Sequence, residues 1–283
     1  CETYSIGCSS TANAIGRAYQ WIQSGESDFV IAGGTEAPLH PSVYAAMDAG
    51  RALAPDEGGT IRNLPRPFDR TRCGMVLGEG GGCFVLEEFE HARRRGAVMH
   101  AEVEGWGFTC DAQSMVKPAS SGREQKRAVQ QALARAHWFP EEVDYVNACG
   151  LGMLDSDARE VSTLKQALGS HACRVPISSF KGALGHAFAA SGAFQVIGTA
   201  LALAHQFVPP TLNLTEADPD CELNLVAGEG RPVAMRRALI NSFGFGGKNV
   251  VLAMSGAQVG AARGRTVNRE WAAAHSGQLA GIS

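Results

Sequence analysis

Cys8 follows Gly7 and precedes Ser9-Ser10 and a run in which Ile15, Ala18, Tyr19 and Ile22 recur at helical spacing. The pattern is that of a turn leading into an amphipathic helix. A thiol at such a helix start faces free backbone amides and the positive end of the dipole, both of which favour the thiolate. The Cys8 pKa is therefore expected to fall toward the reactive range. An arbitrary cysteine is more often a small buried apolar residue, but the turn-then-helix setting shifts the reading to a nucleophile. Gly244-Phe245-Gly246-Gly247 lies between two apolar runs, where glycines let backbone approach a substrate and aim amides at it. An ordinary turn has the same composition. His186 closes Lys181-Gly182-Ala183-Leu184-Gly185-His186 between a predicted strand and a predicted helix, the place of an active-site loop in an α/β protein. A hydrogen-bonded structural histidine fits that local sequence equally well, and Lys181 by itself reads as a solvated charge. Gly78-Glu79-Gly80-Gly81-Gly82 precedes a strand rather than a helix, so it lacks the helix end that holds a phosphate and is not a nucleotide loop.

These residues need elements to carry them. Short apolar runs at 29–32 and 83–86, the second just after the glycine-rich segment, predict buried strands, with a loop-rich stretch over roughly 51–71 between them. Further strands are predicted at 101–108, 144–148, 175–178, 238–241 and 250–254. Helices are predicted at 123–136, where Val129, Ala132, Leu133 and Ala136 share a face, around 161–168, and at 189–205. Helices alternating with near-continuously apolar strands define an α/β protein whose sheets are covered on both faces. Periodicity fades after residue 255 into Gly, Ala, Arg and Ser, which predicts a mobile tail.

Bulk properties narrow the function. A chain of 283 residues that is 45% hydrophobic can fill a large core. A net charge of −3, with Lys and Arg scattered singly, offers no basic stripe for nucleic acid. Eight cysteines at 1, 8, 73, 83, 110, 149, 173 and 221 include no CxxC pair, so a structural zinc is not expected and a reduced, cytoplasmic setting fits. The apolar stretch 193–204, broken by Gln195, Gly198 and Thr199, is too short to span a bilayer and reads as a buried helix. Residue 1 is Cys, and no signal-like segment follows it, so the chain reads as cut at its front.

Taken in order, Gly7-Cys8-Ser9-Ser10, Ile31-Ala32-Gly33-Gly34-Thr35-Glu36, Arg66-Pro67-Phe68-Asp69, Gly78-Glu79-Gly80-Gly81-Gly82, Tyr145-Val146-Asn147-Ala148, the 178–186 segment and Asn241-Ser242-Phe243-Gly244-Phe245-Gly246-Gly247 resemble the β-ketoacyl-acyl carrier protein synthases of the thiolase superfamily. The elongating fatty-acid and type II polyketide enzymes are the most similar, and the likeness runs over residues 1–255. It implies a thiolase fold, layered α/β/α/β/α, with most of the first half missing. Residues 1–91 would be the remainder of the first half with the nucleophile, 92–257 the second half, and 258–283 the flexible tail. The resemblance further implies that Cys8 accepts an acyl group from phosphopantetheine on an acyl carrier protein, with the amides of Cys8 and Phe245 holding the thioester oxyanion. His186 would stabilise the enolate formed when malonyl thioester loses carbon dioxide, Lys181 and Glu160 would form a supporting ion pair, Asp157 matches a nearby family aspartate, and Phe245 gates the acyl pocket. No cofactor is bound permanently. The expected partners are the carrier protein and a second ketosynthase subunit, in a homodimer or heterodimer.

One departure is specific. Where the family has His-Gly-Thr-x-Thr, this chain has Cys149-Gly150-Leu151-Gly152-Met153. A thiol is a weak donor, and losing one well-placed donor to an oxyanion lowers a rate by about 10² to 10³-fold. The expectation is an acyltransferase whose loading survives better than its condensation. The alternatives are a non-catalytic partner of a complete synthase and a thioester hydrolase.

Overall fold

The computed structural model describes residues 1–55 and 65–257. The tail predicted at 258–283 and the middle of the 51–71 stretch lie outside the described residues. In chain order the elements are α1 (Ser10–Gln23), β1 (Phe29–Glu36), α2 (Pro41–Ala49), β2 (Gly80–Glu87), α3 (Phe89–Arg94), β3 (Ala101–Cys110), α4 (Arg123–Ala136), β4 (Tyr145–Asn147), α5 (Leu154–Leu168), β5 (Ile177–Ser178), α6 (Lys181–Leu184), α7 (Ser191–His205), β6 (Phe207–Val208), β7 (Arg231–Pro232), β8 (Arg237–Phe243) and β9 (Lys248–Gly256).

Successive side chains of a strand point to opposite faces. In β8, Ala238 and Ile240 enter one core while Leu239 enters another; in β9, Val250, Leu252 and Met254 alternate in the same way with Val251 and Ala253. A strand apolar on both faces must be covered on both. The five-stranded sheet β3-β9-β8-β4-β5 meets that demand. On one face lie α4 and α5, with Val129, Ala132, Leu133, Val161 and Leu164 in a shared core. On the other lie α1 and α7, through Ile15, Ala18, Val196 and Leu203. Pairing within the sheet is antiparallel for β3-β9 and β9-β8 and parallel for β8-β4 and β4-β5.

A second sheet, the antiparallel pair β1-β2 in register from Phe29 opposite Glu87 to Glu36 opposite Gly80, covers the far side of the α1/α7 layer. Its inward residues Val30, Ala32, Phe84 and Leu86 pack there, while Phe29, Ile31 and Val85 on the outer face are exposed. The described residues thus form four of the five expected layers.

Several elements differ from the sequence expectation, α2 and the α7 region among them. A nine-residue helix, α2, follows β1; it buries no residue, so no apolar periodicity announced it, and the His40 side chain accepts from the Ser42 amide at its start. The helix predicted at 189–205 is a 3-10 turn, Phe188–Ala190, running into α7; together Phe188–His205, 18 residues, have the length and composition of a membrane span, against the expectation from 193–204 alone, but half of the run is buried inside the protein. Its inward side carries Ser191, Gln195 and Thr199 to buried polar partners, which is the behaviour of a core helix.

Candidate functional site

Cys8 sits in a 3-10 turn, Gly7–Ser9, that runs directly into α1. The turn is tied to the far end of the chain: the Ser9 hydroxyl lies 2.9 Å from the Ser242 carbonyl and 3.0 Å from that of Lys248, bracketing the Gly244-to-Gly247 turn. Within that turn Gly246 has φ 71°, a conformation a side chain disfavours, and its amide donates to the Val116 carbonyl at 2.8 Å. The amides of Phe245 and of Cys8 itself both interact favourably with the Cys8 sulfur.

His186 is held from both sides of its peptide: its amide donates to the Val76 carbonyl at 2.7 Å, and its carbonyl accepts from Gly78 at 3.0 Å. Gly185, at φ 69°, makes the reversal that permits this close approach. The ring then has Nε2 3.1 Å from Cys8 Sγ and Nδ1 3.0 Å from Ser191 Oγ, with the Phe188 ring tilted against it at 5.0 Å between centroids. Residues 178 apart in sequence meet here.

The Cys149 loop is built by two carboxylates of α5. Glu160 accepts from the amides of Cys149 and Gly150, both at 2.8 Å, and from Asn241 Nδ2 at 2.9 Å. Asp157 accepts from Leu151 at 2.8 Å, Gly152 at 3.1 Å and Phe68 at 2.9 Å. Four consecutive amides, 149 to 152, are thereby satisfied by residues one turn apart on one helix face. Burial pushes both carboxyls above the ordinary carboxylate range, against the pull of these donors.

This arrangement corrects three expectations. Lys181 and Glu160 do not form an ion pair: Lys181 Nζ donates to the Cys149 carbonyl at 2.6 Å while Glu160 takes the Cys149 amide, so the two charges grip opposite ends of one residue. The Cys149 thiol points away from service as a site donor, giving its hydrogen to the Phe243 carbonyl at 3.4 Å, and burial raises its pKa to about 12. The Cys8 pKa is raised rather than lowered. Cys8 is 5% exposed, and burial outweighs the Phe245 amide, the Lys181 charge and its own amide, with the Glu36 charge adding to the rise. His186 is held neutral, its pKa well below the ordinary histidine value, by burial and then by the Lys181 charge. At neutral pH the resting pair is therefore thiol and neutral imidazole.

Alkylation should follow. Iodoacetamide is expected to modify the exposed Cys1, Cys73, Cys83, Cys110 and Cys173 ahead of Cys8, and Cys8 labelling should climb as pH rises above neutrality. Peptide mapping across a pH series checks this; Cys8 labelled first and fully at pH 7 would mean that the thiolate is already formed.

Phe188, which packs on the His186 ring, and Phe245 belong to a separate apolar cluster. Phe245, Phe188, Met153, Met47 and Val43 pack against a core of Ala52, Met75 and Leu77. The segment 65–77 that supplies Met75 is anchored by Arg72, which donates to Asp218 at 2.7 Å and to the Leu154 carbonyl at 2.9 Å, and by Asp69, which accepts from Thr215 and Thr71. Sequence reasoning missed Arg72, Asp69 as a hub, and Ser191; the partners of the first two are 146 residues away, and Ser191 is an unremarked small residue at a helix start. Among the described residues no group of three or more His, Cys, Asp or Glu is placed to hold a metal ion.

Two sheets that sandwich a helix layer, with a buried cysteine beside a histidine under a glycine-rich turn, make the thiolase type of fold. Residues 3–92 match the family described as beta-ketoacyl synthase, N-terminal domain, and residues 100–215 match beta-ketoacyl synthase, C-terminal domain. The chain belongs to the β-ketoacyl synthase family. It is 42% identical over 246 residues to 3-oxoacyl-(acyl-carrier-protein) synthase 2 of Synechocystis sp., covering 87% of this chain and 59% of that protein. A type II polyketide acyl-carrier protein in complex with its ketosynthase bound to the hexaketide superposes with a TM-score of 0.87 at 34% identity, over 90% of this chain and 62% of that one. The ishigamide ketosynthase/chain length factor gives 0.83 at 34% identity, over 90% and 60%. The chain spans about three fifths of the length of these relatives.

Proposed function

We propose that this protein is an acyltransferase of the β-ketoacyl synthase type, working in fatty-acid or polyketide biosynthesis, that forms an acyl-thioester on Cys8 and is impaired in decarboxylative condensation by Cys149. The observation that carries the reading is the Cys8–His186 contact at 3.1 Å beneath the amides of Cys8 and Phe245. Attack of the Cys8 sulfur on a carrier-bound thioester forms a new C–S bond and places negative charge on the carbonyl oxygen, which the two amides hold. Collapse breaks the bond to the pantetheine sulfur. That sulfur leaves with the proton Cys8 has lost, so the exchange balances without a further reactant.

Condensation asks more. Loss of carbon dioxide from malonyl thioester leaves an enolate oxygen, which His186 serves while the Cys149 thiol is committed to the Phe243 carbonyl. Lys181 and Glu160 act through the Cys149 loop, Asp157 supports its next two residues, and Phe245 gates the acyl pocket. The halves would divide near residue 92, the phosphopantetheine arrives on the acyl carrier protein, and a ketosynthase subunit, identical or not, completes the assembly in the cytoplasm. The ketosynthase bound to its carrier protein and the ketosynthase/chain length factor, both similar to this chain, support those partners.

Intact mass spectrometry after incubation with an acyl thioester tests the reading: an adduct is expected on Cys8 and none with Cys8→Ala. A second reading, a non-catalytic partner subunit, is favoured by the buried, apolar Leu151 in place of a hydroxyl and would be supported by no adduct at all. An adduct that turns over to free acid points instead to thioester hydrolysis.

A further inference from the structure

Ser191, the first residue of α7, is buried, and its hydroxyl has one hydrogen to give and two lone pairs to fill. Among the described residues its Oγ has two partners. The Ala187 amide, which can only donate, lies at 3.1 Å, and His186 Nδ1 lies at 3.0 Å. If Nδ1 carried the ring proton, both neighbours would donate into the serine oxygen and its own hydrogen would be buried with no acceptor. If the hydroxyl instead donates to Nδ1, the serine and the ring are both paired, and the only hydrogen left without an acceptor is the Cys8 S–H, a much weaker donor than a hydroxyl. Buried polar groups are almost always paired, and an orphaned one is costly, so the second arrangement is the stable one. A neutral imidazole that accepts at Nδ1 must carry its hydrogen on Nε2, the atom 3.1 Å from Cys8 Sγ.

We infer that Ser191 is a positioning residue that holds neutral His186 as the Nε2–H tautomer, with that hydrogen aimed at the Cys8 sulfur, so that His186 serves as a hydrogen-bond donor and not as a base. The role rests on the acyl-transfer reading for its consequence: the N–H first stabilises the sulfur anion as loading begins, and it is free to meet a substrate oxygen once the sulfur is acylated. With the Cys149 thiol turned to Phe243, the site's imidazole donor then depends on one serine hydroxyl. Loss of Ser191 leaves Nδ1 without its donor and lets the proton move to it, which converts Nε2 from donor to acceptor.

The test is long-range proton–nitrogen NMR of protein labelled with nitrogen-15 histidine, the His186 signals assigned by their loss in His186→Gln. The expected wild-type pattern at pH 7.5 is an unprotonated Nδ1 and a protonated Nε2, a choice of pH on the order of one unit above the free histidine value. Ser191→Ala should shift the pattern toward a protonated Nδ1, and Ser191→Thr, which keeps the hydroxyl, should restore it. Acylation of Cys8 should slow about tenfold in Ser191→Ala with KM little changed, less than the 10² to 10³-fold of losing a donor outright, and recover in Ser191→Thr. A protonated Nδ1 in the wild type, or a pattern untouched by Ser191→Ala, would overturn the inference, and the wild-type spectrum decides this even if a variant fails to fold. The expected tautomer in a protein that takes up no acyl group would uphold the role of Ser191 while overturning the catalytic reading.

Discussion

Cys149→His is expected to raise carbon dioxide release from malonyl carrier protein by about 10² to 10³-fold while changing acyl loading on Cys8 by only a few-fold. Only enolate formation needs a strong donor at position 149, whereas loading draws on the amides of Cys8 and Phe245, so the substitution acts on one transition state and spares the other. The structure adds a reason to expect weak condensation that composition alone did not contain: the thiol is a weak donor, and it is also already bound to the Phe243 carbonyl. The site must make room for the larger ring, and overpacking a buried position costs about 1–3 kcal/mol, so the variant should be less stable than the parent. Leu151 and Met153 still deny the pantetheine arm its hydroxyl partners, and misplacement of that kind costs roughly 10²-fold. Adding Leu151→Thr and Met153→Thr should therefore raise condensation further, without simple additivity because all three residues serve one bound substrate. Carbon dioxide release set beside the intact mass of the Cys8 adduct measures both arms. Unchanged decarboxylation with normal loading would show that the remaining groups are not arranged for an enolate.

What the sequence made legible is whatever rests on local pattern. The alternation of helices with apolar strands located the five-stranded sheet, since strands such as 250–254 are apolar on both faces because both faces are covered. The ordered motifs brought Cys8, His186, Lys181 and Phe245 to notice before any coordinate. Four things were not legible, each for a physical reason. α2 buries nothing, and α5 begins at Leu154, earlier than the predicted 161–168, because its first turn is occupied by Asp155 and Asp157, which suit a helix start but carry no apolar period. The Cys8 pKa is a contest between a local term, the helix start, and a non-local one, burial, and only the local term can be read from neighbours in the chain. The family resemblance implies a Lys181–Glu160 ion pair, but motif order carries no contact geometry, and the residue between them, Cys149, is what each one binds.

That shared grip leads to the largest expected stability effect. Glu160→Ala should destabilise the protein by about 3–5 kcal/mol, because it leaves three buried donors, the Cys149 and Gly150 amides and Asn241 Nδ2, without their acceptor. For a chain of this size the loss corresponds to a fall in Tm of roughly 10 °C. Glu160→Gln keeps one acceptor oxygen but turns an NH2 group toward at least one of the same donors, so its penalty should be smaller and still measurable. The two variants also separate charge from shape. If the negative charge mattered mainly through Lys181, the Gln and Ala forms would lose similar amounts; because the donors are satisfied by position, Gln should recover part of the loss. Thermal and urea unfolding of both proteins check the order. Function should move with stability, since the Cys149 carbonyl that holds Lys181 Nζ belongs to the loop that Glu160 fixes, and a loosened loop frees the charge that helps keep His186 neutral. Acyl loading of Cys8 in Glu160→Ala should accordingly drop even at temperatures well below its Tm, and a Tm within about 2 °C of the parent would show that the 149–152 loop is held by something other than the α5 carboxylates.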